Sequence, residues 1–204
     1  MYITYMLIFT FAILSFCYIN YYYNDIIYIQ STIDNNYYAI RKNKYNNQKL
    51  NIESANLLAS INKNILILID YLYNKYNHDL NYNHIIQKLK NNYNHTIINE
   101  AANDPRYTTY TIDKKYLHIC LKTRDDNEHL YDLNTLMYVI LHELAHLSNY
   151  DKSGNPIIGH GKEFQSIFKL YTSAATDLNI YKYIDYSKNP KNYCGIIINT
   201  QILS

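Results

Sequence analysis

The chain opens with an uninterrupted apolar segment, from Met1 to Tyr23, that contains no charged side chain. A helix needs about 20 apolar residues to cross the hydrocarbon core of a bilayer, so this segment is long enough. Tyr18 and the tyrosines at 21–23 lie where an aromatic belt would meet the lipid headgroups. The pattern predicts a retained single-pass transmembrane anchor.

A cleaved signal peptide is the alternative interpretation of the same segment. Signal peptides have a basic n-region, a shorter apolar core and a small-x-small cleavage site, and none of these is evident. Arg41, Lys42 and Lys44 follow the anchor, whereas no Lys or Arg precedes it. By the positive-inside rule, this asymmetry favours a cytoplasmic C-terminal domain on a host or virion membrane.

The remaining chain divides into a polar segment and one domain. Residues 24–50 are rich in Asn and Tyr and lack clear periodicity, which predicts a tether. From Glu53 onward apolar residues recur every three or four positions, as on one face of a helix: Leu58, Ile61, Ile65, Leu68 and Leu72. With 204 residues in total, we expect a single domain over 51–204.

Shorter elements follow this helix. A second helix is predicted over Asn83–Tyr93, and the alternation between Tyr107 and Lys122 predicts a β-hairpin turning at "DKK". Its second strand, from Tyr116 to Lys122, is expected to offer an unpaired edge to an extended peptide. Asp132 or Asn134 is expected to cap the helix that comes next. Helices combined with a hairpin indicate an α+β fold.

This next helix carries the motif "HELAH", in which His142 and His146 are four residues apart. Residues at that spacing lie on one helical face, so the two imidazoles can bind a common zinc ion at about 2.0 to 2.1 Å. Glu143 points away from that line, where a carboxylate can hold the attacking water and take its proton. The motif therefore predicts two zinc ligands and a catalytic base.

Catalytic zinc sites have three protein ligands and one open position, so a third ligand is expected elsewhere. His160 lies fourteen residues after His146 in "GHGKEF", between two glycines and before another predicted helix. Glu163 is the alternative third ligand, but the glycine flanks favour His160. The predicted metal site is His142, His146 and His160.

Other side chains are weaker candidates for a role in the site. His118 and His129 are expected to be ordinary core or surface histidines, and Asp185 is a candidate for orienting a ligand histidine. Three tyrosines, among 26, are candidates for stabilising an oxyanion: Tyr183, Tyr186 and Tyr193. Cys194 has no assignable base, so a cysteine-protease mechanism is not favoured.

Charge and cysteine content exclude several classes of protein. The formal net charge is +2 without a Lys/Arg block, so no nucleic-acid partner is expected. Cys17, Cys120 and Cys194 are too few and too widely spaced for a disulfide framework or a cysteine zinc site. This favours a reducing compartment, although a bridge between Cys120 and Cys194 stays open.

The motifs "HELAH" and "GHGKEF" resemble the active-site signature of the SprT-like and WLM families of zinc metallopeptidases. The surrounding sequence is similar to membrane-anchored WLM-type proteins of large DNA viruses. This resemblance covers roughly residues 107–199, and it implies a zincin fold, peptide-bond hydrolysis, three histidine ligands and Glu143 as base. DNA-binding segments found in some family members are not visible here.

Two functions are compatible with these patterns. The first is a membrane-anchored zinc endopeptidase that acts on a protein or peptide substrate. The alternative is a non-catalytic zinc-binding membrane or virion protein that works by binding. Glu143 favours the first, because a purely structural zinc site has a closed ligand set and no use for a base. The sequence does not indicate the oligomeric state.

Overall fold

The computed structural model describes residues 2–23, 25–104, 106–200 and 202–203, without the side chains of Ile3 and residues 20–23. Within these residues the fold is a mixture of helices and small sheets, as the α+β prediction states. The helices are α1 (Tyr2–Tyr23), α2 (Gln48–Tyr76), α3 (Asn83–Asn92), α4 (Leu133–Ser148) and α5 (Lys162–Asp177). The strands are β1 (Ile26–Gln30), β2 (Tyr37–Arg41), β3 (Ile98–Glu100), β4 (Tyr110–Ile112), β5 (Tyr116–Ile119), β6 (Lys191–Tyr193) and β7 (Ile196–Ile198).

The helix α1 spans almost the whole apolar N-terminal segment, and its described side chains are mostly exposed. Phe9 is 67% exposed and Phe11 is 73% exposed. A different helix, α2, is long and apolar enough by length and composition to cross a membrane. Half of its most apolar window is buried inside the fold, and Leu58, Ile65 and Leu72 are fully buried. This burial is typical of the core helix of a globular domain.

The segment predicted as a tether is instead an antiparallel hairpin. Strands β1 and β2 pair in register from Ile26 opposite Arg41 to Gln30 opposite Tyr37. Tyr38 and Ile40 are buried and belong to the same core cluster as the apolar face of α2. The tether prediction is therefore wrong for this segment. Its overall composition is polar, and the few residues that are buried against the core lie in short, tyrosine-rich strands that show no clear periodicity.

The predicted hairpin at "DKK" is confirmed. Strands β4 and β5 pair antiparallel, with Thr111 opposite Leu117. The strand order is β3-β5-β4, and β3 pairs parallel to β5. The prediction of a free edge at Tyr116–Lys122 is wrong, because β5 is the central strand. The hairpin's other strand, β4, is an edge of this described sheet.

The motif helix α4 and the helices α3 and α5 lie where the sequence predicts them, and the structure shows which residue caps α4. Asp132 caps α4, since its side chain accepts a hydrogen bond from Thr135 N at 2.9 Å. Asn134, the other candidate cap, instead accepts from Lys182 N at 2.7 Å. The helices α3 and α5 form where periodicity predicts them.

The C-terminal hairpin β6–β7 is linked to the central sheet by a disulfide between Cys120 and Cys194. The sequence leaves this bridge open while favouring a reducing compartment. Disulfides persist mainly in oxidising compartments, so the bridge goes against that preference. Tyr193, beside Cys194, is fully buried and donates to Cys120 O at 2.9 Å. The hairpin is thus fixed to β5 covalently and by hydrogen bonding.

Candidate metal site

The helix α4 carries two of the predicted ligands on a well-packed support. Its inner face is fully buried through Leu136, Ile140 and Leu144. His142 and His146 lie on the opposite, partly exposed side, one helical turn apart. The backbone is fixed by the Asp132 cap at one end and by core packing along its length. The two imidazoles are therefore held on a rigid element before any ligand arrives.

The three predicted histidine ligands converge on one point. The Nε2 atoms of His142 and His146 are 3.2 Å apart, and His160 Nε2 lies 3.0 Å from each of them. Tetrahedral zinc with bonds of about 2.05 Å has nitrogen atoms separated by about 3.3 Å. The observed triangle is within a few tenths of an ångström of that spacing. This histidine cluster (His142, His146 and His160) can hold a metal ion.

Hydrogen bonding alone does not explain the histidine cluster. In a neutral imidazole, Nε2 is either a donor or an acceptor. Three such atoms in mutual contact cannot form three donor–acceptor pairs. At least one of the three contacts must therefore join two donors or two acceptors. Burial and the neighbouring histidines lower the pKa of His142 to about 3, which favours its neutral form. Burial, His160 and Lys114 lower the pKa of His146 to about 4. Neutral imidazoles are the form that binds metal.

The loop after α4 brings His160 back to the helix. Gly159 has a φ of +88°, in the left-handed region that side chains disfavour, so glycine is suited to this sharp turn. His160 follows and is exposed, and its carbonyl accepts from Gln165 Nε2 at 3.2 Å. Glu163 is not part of the converging group among the described residues. The structure thus agrees with the choice of His160 over Glu163.

The aromatic ring of Phe164 packs against all three imidazole rings of the histidine cluster. Its ring centroid lies 4.3 Å from that of His146, 4.8 Å from His142 and 4.7 Å from His160. The side chain is 2% exposed, so it belongs to the core as well as to the site. A single buried aromatic residue therefore restricts the rotamers of the whole histidine cluster.

Glu143 is buried beside the histidine cluster, with 6% of the residue exposed. Burial raises the pKa of its carboxyl group to about 7, and a hydrogen bond from Thr111 acts in the opposite direction. Thr111 Oγ1 donates to Glu143 Oε2 at 2.7 Å from the edge strand β4. A carboxyl group with this pKa can both accept and release a proton near neutral pH.

Two residues near the site were not identified from the sequence. Thr111 contacts Glu143 across 32 positions of the chain, and Lys114 contacts the end of α4 across a similar separation. Both lie in the "YTIDKK" hairpin, where alternation predicts strand geometry but not the partner of each side chain. The only sequence feature that points to these two residues is the position of their hairpin directly before the motif helix.

The weaker candidates have other contacts. The ring of His118 stacks on Tyr110 with centroids 4.9 Å apart, and burial lowers its pKa. His129 is exposed. Asp185 accepts from the Ser187 hydroxyl at 2.5 Å and pairs with Lys188.

The three candidate tyrosines are engaged or enclosed elsewhere. Tyr183 donates to Leu203 O at 3.1 Å, and Tyr193 donates to Cys120 O. Tyr186 is 1% exposed, and its hydroxyl lies in the core. These contacts do not support an oxyanion role for any of the three.

Sequence comparison finds relatives among viral proteins. The chain is 37% identical to the uncharacterized protein R325 of Acanthamoeba polyphaga mimivirus over 177 residues, which cover 86% of this chain and 84% of that protein. It is 36% identical to the uncharacterized protein 136R of Invertebrate iridescent virus 6, over 42% of this chain and 44% of that protein. It is 40% identical to the uncharacterized protein 042R of Invertebrate iridescent virus 3, over 43% of this chain and 50% of that protein.

No protein-family model and no solved structure matches the chain. The viral relatives suggest a viral origin for the chain. Because the alignment with the mimivirus protein covers 86% of one chain and 84% of the other, this chain belongs to the same family as protein R325 of Acanthamoeba polyphaga mimivirus.

Proposed function

We propose that the chain is a zinc-dependent endopeptidase, with the histidine cluster as its metal site and Glu143 as its general base. The observation that carries this proposal is the convergence of three histidine Nε2 atoms within 3.2 Å of one another, next to a buried carboxylate. Nitrogen ligands at this spacing suit zinc. Three ligands from the chain leave a fourth position for water or substrate, as in hydrolytic zinc sites.

When bound, zinc would polarise the scissile carbonyl and lower the pKa of a water molecule toward about 7. Glu143 accepts the proton of the attacking water and passes it to the leaving amine. Burial raises the pKa of this carboxyl group, which strengthens it as a proton acceptor. Thr111 holds the carboxylate in place through its hydroxyl group.

The substrate is an extended peptide in this proposal, and the edge that binds it is β4 rather than the predicted β5. The strand β4 pairs with β5 on one side, and Thr111 of the same strand contacts Glu143. An extended chain added along β4 would gain main-chain hydrogen bonds close to the base. The position of β4 therefore supports peptide as the substrate class.

The alternative function, non-catalytic zinc binding, predicts a different environment for Glu143. A structural site has no need for a carboxylate that is 6% exposed, is held by one hydroxyl group and directly follows a ligand histidine in the chain. Keeping a carboxylate there is costly, because burial favours its protonated form. The burial of Glu143 beside an open three-ligand site supports catalysis.

Hydrolysis of an unfolded protein by full-length chain in detergent, with zinc present, tests this proposal. Glu143→Gln removes the base and leaves the three histidines unchanged. We expect the variant to keep its zinc and its folding, while its rate falls by at least about a hundredfold. Glu163→Gln changes a carboxylate that lies three residues after His160 but outside the histidine cluster, so this variant is the matched control and should retain the wild-type rate.

Two outcomes count against the proposal. Equal rates for wild type and Glu143→Gln would remove Glu143 from the mechanism. Zinc binding without cleavage of any substrate in a broad panel would favour the non-catalytic alternative.

We also propose that α1 anchors the chain in a membrane. Its 22 residues carry no charge, and its described side chains are mostly exposed rather than packed in the core. Full-length chain should stay in the membrane fraction after carbonate or high-salt washing, and deletion of 2–23 should release it. A mature chain in the soluble fraction that starts after about residue 20 would indicate signal-peptide cleavage instead.

A further inference from the structure

Lys114 lies in an unusual backbone conformation at the tip of the β4–β5 hairpin. Asp113 and Lys114 have φ values of +49° and +53°, and Lys115 N donates to Ile112 O at 2.9 Å. Two left-handed residues inside such a turn define type I′, which favours Asn and Gly at these positions. A lysine there is strained, and strain of this kind is retained where the side chain has a role.

The ammonium group of Lys114 donates to three backbone carbonyls outside its own hairpin. The acceptors are His146 O at 2.6 Å, Asn149 O at 2.8 Å and Ile157 O at 3.3 Å. The first belongs to the last turn of α4, the second to its C-terminal cap, and the third to the returning loop. One side chain thus joins three separate parts of the site's backbone.

Two of these acceptors lie at the end of α4, where each also accepts from a backbone amide: His146 O from Asn149 N at 3.4 Å and Asn149 O from Ile157 N at 2.9 Å. The last carbonyls of a helix have no intrahelical partner, and a lysine ammonium group satisfies them well. Asn149 is 1% exposed, so water has little access to this end of α4. The Lys114 ammonium group also lies 4.7 Å from the ring centroid of Tyr150, which limits its own mobility.

The position of Lys114 bears directly on the histidine cluster. One acceptor is the carbonyl of the ligand His146 itself, and Ile157 lies three residues before His160. The loop between them is closed by a hydrogen bond from Ile157 N to Asn149 O at 2.9 Å. Loss of these hydrogen bonds between the end of α4 and the loop would therefore change the position of His160 relative to α4.

We propose that Lys114 is a positioning residue that locks the C-terminal end of α4 to the loop carrying His160, and so sets the geometry of the metal site. This inference rests on the metal-binding part of the proposed function. Groups that orient metal ligands typically contribute about 10-fold to 100-fold in metal affinity. Lys114 would do so through the backbone rather than through the imidazole rings.

The sign of the change in zinc affinity on neutralising Lys114 distinguishes a positioning role from a purely electrostatic effect of its charge. A positive side chain near a cation repels it, so a pure charge effect predicts tighter zinc binding when Lys114 is neutralised. A positioning role predicts weaker binding, because the three ligands lose their common orientation. The two explanations therefore have opposite signs.

Zinc affinity of full-length chain in detergent, measured by competition with a chromophoric chelator, tests this inference. Lys114→Met should weaken zinc binding by about 10-fold to 100-fold. Lys115→Met is the matched control, since its exposed side chain neighbours Lys114 in the same turn, and it should leave the affinity unchanged. Lys114→Gly removes the ammonium group together with the backbone strain, so it should fold and still show the weakened affinity.

Hydrogen exchange of the metal-free chain provides a readout that does not depend on zinc. Lys114→Met should speed exchange of the amides at 149–157, including Ile157, and leave those of α2 unchanged. Unchanged exchange there, or zinc affinity equal to or tighter than wild type in both Lys114 variants, would overturn the inference. If the wild type itself bound no zinc, the metal site of the proposed function would fail, and the exchange comparison would still decide whether Lys114 locks the loop.

Discussion

Two regions of the molecule bring several polar side chains close together and satisfy them in different ways. The histidine cluster brings three imidazole nitrogens together with no oppositely charged partner among them. The second region, here called the ionic cluster, consists of Arg41, Glu100, Lys122 and Glu128. Lys122 and Glu100 are buried to at least 98%, yet their charged groups lie 3.2 Å apart.

The ionic cluster is closed by the protein itself. Glu100 accepts from Arg41 N at 2.8 Å and pairs with Lys122, while Arg41 also pairs with Glu128 at 3.3 Å. Lys122 donates in addition to Arg41 O at 2.7 Å. Positive and negative groups alternate, so each charged group faces an opposite charge, while the buried Arg41 Nε has no hydrogen-bond partner among the described residues. It ties β2, β3 and the chain after β5 together.

The histidine cluster lacks such internal closure, because it consists of three groups of one kind. Burial lowers the pKa of His142 to about 3, so adding a proton does not resolve the contact near neutral pH. A cation at the common point would satisfy all three nitrogens. The ionic cluster is thus balanced by groups of the protein itself, whereas the histidine cluster has the arrangement of a group that could hold a metal ion.

The largest expected effect comes from breaking the ionic cluster. Lys122→Met leaves Glu100 buried with one partner fewer, so we expect a loss of about 3 to 5 kcal/mol in the free energy of unfolding. Urea denaturation measures this loss. The zinc content of the folded fraction should stay at the wild-type value, because none of the ligands belongs to the ionic cluster.

Two further variants sharpen this result. Burial raises the pKa of Glu100 and lowers that of Lys122, against the effect of each partner, so the pair is held at a desolvation cost. Adding Glu100→Gln to Lys122→Met should therefore recover part of the lost stability. Lys44→Met, which breaks an exposed pair with Asp126, should change little. A stable Lys122→Met chain, or one that loses zinc when folded, would contradict the proposed separation of roles.

A smaller effect is expected from the disulfide, which joins the chain near Lys122 to the C-terminal hairpin. Cys120 and Cys194 are 74 residues apart, and a crosslink over such a distance restricts the unfolded chain. Replacing both cysteines by serine should lower the free energy of unfolding by about 2 to 4 kcal/mol. A urea midpoint that does not respond to this replacement would show that the bridge contributes nothing to stability.

The smallest expected effect is at the contact between the edge strand and the base. Thr111→Val removes the hydroxyl group that donates to Glu143, a hydrogen bond worth about 1.5 to 3 kcal/mol when the acceptor is charged. We expect peptide hydrolysis to slow by roughly tenfold, with zinc content unchanged. Thr172→Val is the control, because the buried Thr172 hydroxyl has no partner among the described residues. Equal slowing in both variants would mean that Thr111 acts through packing.

The sequence predicts the parts of the site that depend on local geometry. The spacing of His142 and His146 places them on one face because a helix repeats every 3.6 residues. His160 is predictable from its glycine neighbours and from the need for a third ligand. The role of Glu143 as a base is predictable from its position within the motif, whereas the burial of its side chain is not.

The remaining features depend on contacts between distant parts of the chain. The bond from Thr111 to Glu143 and the lock at Lys114 arise from packing a hairpin against α4, which periodicity does not encode. The strand β3 has three residues and pairs parallel, so it has too little pattern to be recognised. The hairpin β1–β2 was missed because its buried face becomes clear only against α2.

Elemental analysis of purified full-length chain tests the central claim most directly. We predict about one zinc ion per chain for wild type and for Glu163→Ala, since tetrahedral zinc sites of this type use three protein ligands and Glu163 lies outside the cluster. His160→Ala should lower the zinc content toward zero, because it removes one of the three converging nitrogens. A wild-type chain without zinc, or a His160→Ala chain with the wild-type content, would contradict the metal site proposed for this protein.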